Sequence, residues 1–154
     1  METVTHMRED TLDGLRDLIR INLDAKKGFE ESAKELDSAA IKSLFLGCAA
    51  ERDSQAAELR RYVELNDEDA TDSGSAKGAI HRAWLKFRAA LAGDTDLAVL
   101  DEAERGEDKI KELYEEVIVE TAGSPVNDVL HRHIAQVKKR HDQIRDLRDA
   151  MAQA

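Results

Sequence analysis

Apolar residues recur along most of this chain at steps of three and four, the spacing that stacks side chains on one face of an α-helix. The first stripe reads Leu12, Leu15, Leu18 or Ile19, Asn22, Ala25, Phe29, Ala33 and Leu36 and predicts a helix opened by a capping Asp10 or Thr11. Leu36-Asp37-Ser38 supplies a short turn, after which Ile41, Phe45, Cys48, Arg52, Gln55, Leu59 and Tyr62 mark one face of a second helix. Asn66 to Ser75 is a loop by composition, and it releases a shorter amphipathic segment with Ile80, Trp84, Phe87 and Leu91, ended by Gly93. A third helix is expected from Asp94 or Thr95, with Leu97, Leu100, Ala103, Glu107, Ile110, Tyr114 and Val117 on its inner face. Gly123-Ser124-Pro125 combines a helix-ending glycine, a capping serine and a proline suited to a first turn, so a fourth helix is expected there. Its stripe is Leu130, Ile134, Val137, His141, Ile144, Leu147 and Met151. Residues 1–9 are polar and expected to be frayed, and 10–154 form a single domain.

Connection lengths turn these elements into a topology. The tight turns between the first and second helices and between the third and fourth predict two antiparallel hairpins. The long connection over about 66–93 is expected to cross the bundle, with its own short helix spanning roughly 27 Å at the helical rise. The second and third helices then run parallel, and the fold class is an all-α four-helix bundle.

Composition agrees and narrows the function. A chain of 154 residues with one proline and few aromatics is rich in helix formers and large enough to bury a core without disulfides. Its formal net charge of -10 argues against nucleic acid and against an anionic membrane surface as partners. Cys48, the single cysteine, lies among Leu44, Phe45 and Leu59 and reads as a buried structural thiol. With no apolar run of about 18 residues and no secretion signal, the expected location is the cytoplasm. Trp84 and its apolar neighbours on the crossover suggest a homo-oligomer, a dimer first of all.

Polar residues interrupt each stripe near its middle. Counted from the two hairpin turns, Asn22, Arg52, Gln55, Glu107, Lys138 and His141 fall at one depth, about 22 Å along the helices, with Glu51 and Glu104 beside them. A buried polar layer follows, whose members must satisfy one another because an unpaired buried charge costs several kcal/mol. His131 and His133 alternate and so point apart; these two, His6 and His81 are expected at the surface. No glycine-rich phosphate loop, cysteine pair or evident nucleophile appears in the sequence.

Two helical hairpins with polar residues at mid-depth resemble the ferritin-like superfamily, in which glutamates and Glu-x-x-His motifs hold two irons. Ile134-Ala135 followed by Lys138 and His141 is similar to the Ile-Ala-x-x-Glu-x-x-His run of rubrerythrin-type proteins. Cys48-Ala49 with Arg52 and Gln55 is the counterpart on the second helix, and Glu104 with Glu107 resembles the acids of the third. Gly28-Phe29-Glu30, Glu104 to Asp108 and Val137 to Asp142 further resemble a bacterial family of ferritin-like bundles described only as a domain of unknown function. Against the di-iron pattern, Arg52 and Lys138 stand where bridging glutamates are expected, Gln55 replaces a histidine, and Ile19 and Asn22 occupy the place of an acid.

Two readings of the layer stay open. In one, Glu104 and Glu107 are balanced by Arg52, Lys138 and a protonated His141, no cofactor is needed, and the protein is a non-enzymatic, stress-associated or protein-interaction module. In the other, a register change turns the basic residues outward, and Glu104, Glu107, His141 and Glu51 hold iron or another divalent metal in a ferroxidase-like protein.

Overall fold

The computed structural model describes residues 2–66 and 96–153. They form four helices: α1 (Glu9–Glu35), α2 (Ala39–Leu65), α3 (Asp96–Glu120) and α4 (Asn127–Ala152). The crossover expected over 66–93 lies outside the described residues apart from Asn66, and so do Ile80, Trp84, Phe87, Leu91 and His81. Among the described residues the β-structure is an isolated bridge between Thr3 and His6, and no helix is long and apolar enough to cross a membrane.

The boundaries follow local chemistry. Ser38 caps α2 by accepting a hydrogen bond from the Ile41 N–H at 3.3 Å. Gly123, at φ 86, adopts the left-handed conformation that ends the turn after α3. Pro125 sits inside a tight turn closed by the Asn127 N–H on the Ser124 carbonyl, so α4 begins at Asn127, slightly later than the sequence signal suggests.

Pairwise contacts give the helix directions. Lys26 meets Asp53 at 3.1 Å and Phe29 packs edge-on against Phe45, so α1 and α2 run oppositely. Tyr114 meets His133, and Glu104 meets Arg148 further along, which sets α3 against α4. Glu58 with Arg132 and Glu51 with Arg140 place α2 antiparallel to α4. Gly14 near Val117 and Ala33 in one cluster with Val99 make α1 antiparallel to α3. It follows that α2 and α3 run parallel. At Gly14 α1 approaches α3 closely: a Cβ there would lie 2.9 Å from Val117 Cγ1.

The core divides in two. One apolar cluster joins Leu12, Leu15, Leu18, Leu59, Tyr114, Val117 and Leu130 near the α3–α4 turn. The other joins Phe29, Ala33, Ile41, Phe45, Cys48, Leu100 and Ile144 near the α1–α2 turn. Cys48 is fully buried, and burial pushes its thiol up to about 12, so it packs as a small apolar group. Between the clusters the helices contribute polar side chains.

Residues 2–8, expected to be frayed, instead fold back on the bundle end. The Met7 N–H donates to Asn66 Oδ1 at 2.8 Å, Asn66 Nδ2 donates to the Val4 carbonyl at 2.9 Å, and the Met7 side chain joins the first cluster. Asn66, the residue after α2, replaces the hydrogen bonds that a short polar segment would otherwise make with water.

Candidate functional site

Of the six residues expected in the polar layer, Asn22, Arg52, Gln55 and Glu107 are buried. Arg52 and Glu107 are both 0% exposed and form the ionic centre: Arg52 Nη1 donates to Glu107 Oε2 at 3.4 Å. Arg52 Nη2 donates to Glu51 Oε1 at 3.1 Å, and Glu51 Oε2 accepts from Arg140 Nε at 3.3 Å. Opposite charges thus alternate from solvent to core as Arg140, Glu51, Arg52 and Glu107. Gly47 lies beside the outer link, where a Cβ would stand 3.0 Å from Arg140 Nη1. Burial pushes the Glu107 carboxyl above the usual carboxylate range although Arg52 pulls it back.

Lys138 does not belong to this layer. It is exposed, and the inner line of α4 runs through Leu130, His133, Val137 and Ile144; one step beyond Val137 turns Lys138 about 100° away. Its expected place as counter-charge to the acids is taken by Arg140 and Arg148. His141 is half-buried, its Nε2 3.4 Å from Glu104 Oε1 and 3.0 Å from Asp108 Oδ1, and its Nδ1 3.1 Å from Asp142 Oδ1. Glu104 also accepts a hydrogen bond from Arg148.

His133, expected at the surface, is instead 0% exposed. Its Nδ1 lies 3.0 Å from Tyr114 Oη and its Nε2 lies 2.7 Å from Glu58 Oε1. Asn22 Nδ2 donates to Tyr114 Oη and to the Leu18 carbonyl, each at 2.9 Å. Arg132 grips Glu58 with two hydrogen bonds at 2.9 and 2.7 Å. These bonds, with help from His133 and against partial burial, hold the Glu58 carboxyl down at about 2. Burial pushes the His133 imidazole below its ordinary value even with Glu58 beside it. Gln55 bridges the two levels, its Nε2 donating to Gln136 Oε1 at 2.8 Å and to the His133 carbonyl at 3.4 Å. The sequence signal for His133 was its position three after Leu130 and four before Val137.

Of the four residues considered as metal ligands, the three acids are each matched to a guanidinium, Glu107 to Arg52, Glu51 to Arg52 and Arg140, and Glu104 to Arg148, while His141 meets neither Glu107 nor Glu51. His141 faces Glu104 and Asp108 instead. Among the described residues no three His, Cys, Asp or Glu side chains gather as a metal-holding group. The donor set does not fit a pair of irons, since a buried guanidinium stands between the acids that would have to bind them.

No curated protein matches the chain. The family profile described as a domain of unknown function (DUF2383) matches residues 10–120, more than half of the chain, from the second residue of α1 to the end of α3. That span carries Asn22, Arg52, Gln55, Glu58, Glu107 and Tyr114, and the chain belongs to the DUF2383 family.

Proposed function

We propose that the protein is a non-enzymatic bundle of ferritin-like type, in which an ion-pair layer stands where metal-bearing bundles of that type hold two irons. It works through its surface, as a stress-associated or protein-interaction module. The observation that carries this reading is Arg52, a fully buried cation held by Glu107 and Glu51 at the middle of the core. A cation there supplies the charge that a metal would otherwise bring to the acids, and it repels a metal that approaches them.

Elemental analysis of protein purified without chelator, with thermal melts in EDTA and in added iron(II) or manganese(II), tests the reading. The expected result is far less than one transition metal per chain and a melting temperature that the added metals leave unchanged. A stoichiometric metal together with a large metal-induced rise in melting temperature would replace the ion-pair layer with a metal site.

A further inference from the structure

The hydrogen bonds around His133 have one consistent direction. Arg132 holds Glu58 ionised, so Glu58 can only accept, and His133 Nε2 carries a hydrogen and donates to it at 2.7 Å. In the neutral ring Nδ1 is then the acceptor, and the Tyr114 hydroxyl is its donor at 3.0 Å. Tyr114 Oη in turn accepts from Asn22 Nδ2 at 2.9 Å. A phenol therefore points its proton at a base, and behind that base stands a carboxylate.

Adding a proton to this chain and removing an electron from it have opposite results. A proton added at Nδ1 would leave the phenol hydrogen short of an acceptor, because Leu18, Leu59, Ile110 and Leu130 share the cluster with the ring. Loss of an electron from Tyr114 strands no hydrogen. A phenol that has lost an electron is a strong acid, and its proton crosses to His133 Nδ1, a base already within hydrogen-bond reach. The phenoxyl oxygen that remains has no hydrogen to place. It accepts from Asn22 Nδ2 on one side and from the new Nδ1–H on the other. The positive charge comes to rest on His133, where Nε2 already donates to the ionised Glu58, and the charge strengthens that bond.

We infer that Tyr114 is a one-electron donor that reduces oxidising radicals, with His133 as the base that takes its proton and Glu58 as the counter-charge. The incoming radical gains one electron and becomes its anion. Tyr114 loses that electron and becomes a neutral phenoxyl radical, and the phenol proton moves from Oη to Nδ1. A one-electron reductant such as a thiolate restores the phenol, and the proton returns from Nδ1 to Oη. No metal takes part in either direction, so the site is independent of how the Arg52 level is read.

Burial suits a radical that has to persist. Tyr114 and His133 are each 0% exposed, so two phenoxyl radicals on different molecules cannot meet and couple, whereas an electron tunnels through packed side chains. Burial also pushes the phenol's own ionisation up and the imidazole's down. At neutral pH the phenol thus keeps its proton, and Nδ1 keeps its lone pair, until the electron leaves. The second tyrosine of the chain, Tyr62, packs half-buried against the same cluster and supplies the comparison.

Flash oxidation of the intact protein at neutral pH with photogenerated tris(bipyridine)ruthenium(III), followed by EPR spectroscopy, tests the site. The parent should give a persistent tyrosyl signal, and isotopic labelling of histidine should reveal a ring nitrogen coupled to it. Tyr62→Phe leaves Tyr114 as the one tyrosine of the chain and should keep the signal, whereas Tyr114→Phe should abolish it. His133→Gln keeps an acceptor for the phenol but no base, and should slow formation of the Tyr114 radical about 100-fold. A signal missing from Tyr62→Phe, an equal rate in His133→Gln, or a parent signal without histidine coupling would each overturn the inference. Should the variants at Tyr114 or His133 not fold, the Tyr62→Phe signal and the histidine coupling decide the matter.

Discussion

Arg52 and Glu107 meet in the core as opposite charges, whereas Tyr114 and His133, about 10 Å further along α3, meet as neutral groups. At both levels a polar pair is buried among apolar residues, but the satisfaction differs in kind. The ionic level is neutral in sum and loosely directed: its central contact is 3.4 Å, and Arg52 Nε and Glu107 Oε1 have no hydrogen-bond partner among the described residues. The neutral level has bonds of 2.9 and 3.0 Å from Asn22 through Tyr114 to His133, in a fixed order of donors and acceptors that ends at 2.7 Å on the ionised Glu58. Charge therefore dominates the energy of the first level and hydrogen position that of the second, so the two should respond differently to substitution and to pH.

The largest effect is expected at the ionic level. Arg52→Gln strands Glu107 without a counter-charge and should lower stability by about 3–5 kcal/mol at pH 7.5. Burial raises the Glu107 value above its ordinary 4.5 and loss of Arg52 removes the charge that pulls it back, so as pH falls the variant's folded state takes up a proton before its unfolded state does. Its stability relative to the parent should therefore recover as pH falls from 7.5 toward 5. Urea denaturation at both values measures this, and a deficit of equal size at each would show that Glu107 is not the stranded group.

At the neutral level Tyr114→Phe removes the donor to His133 and one acceptor of Asn22 without changing any charge. The expected loss is smaller, about 1–3 kcal/mol. Chemical denaturation at pH 7.5 reads it, and a loss below about 0.5 kcal/mol, the range of neutral surface changes, would mean that the phenol does not hold the imidazole. Lys138→Ala should have the smallest effect, within about 0.5 kcal/mol, because the side chain is exposed. A deficit well beyond that in the same experiment would return Lys138 to the ionic level.

The helices and their inner faces were legible because a stripe at helical period needs only local sequence. Asn22, Arg52, Gln55 and Glu107 were legible for a related reason: a polar residue at a core position has no other face to turn to. Counting residues from a turn located the ionic level along the helix but left its rotation on α4 undetermined, and that error placed Lys138 inside and His133 outside. The partners were harder still. Arg140 reaches Glu51 across Gly47, and Arg148 reaches Glu104 from seven residues beyond His141, because arginine is long enough to act away from its own backbone position. The anchoring of residues 2–8 rests on a side-chain amide at Asn66, which composition presents only as a loop residue.

The close approach of Gly14 to Val117 carries a consequence for how this family can diverge. A single methyl at position 14 would press on a β-branched side chain at 2.9 Å, so neither residue can grow alone. Volume can only be exchanged between them, with a gain on α1 matched by a loss on α3. Other members of the family that carry alanine at the position of Gly14 should therefore carry a smaller residue at that of Val117, and the two sites should drift as one unit even though 102 residues of chain separate them.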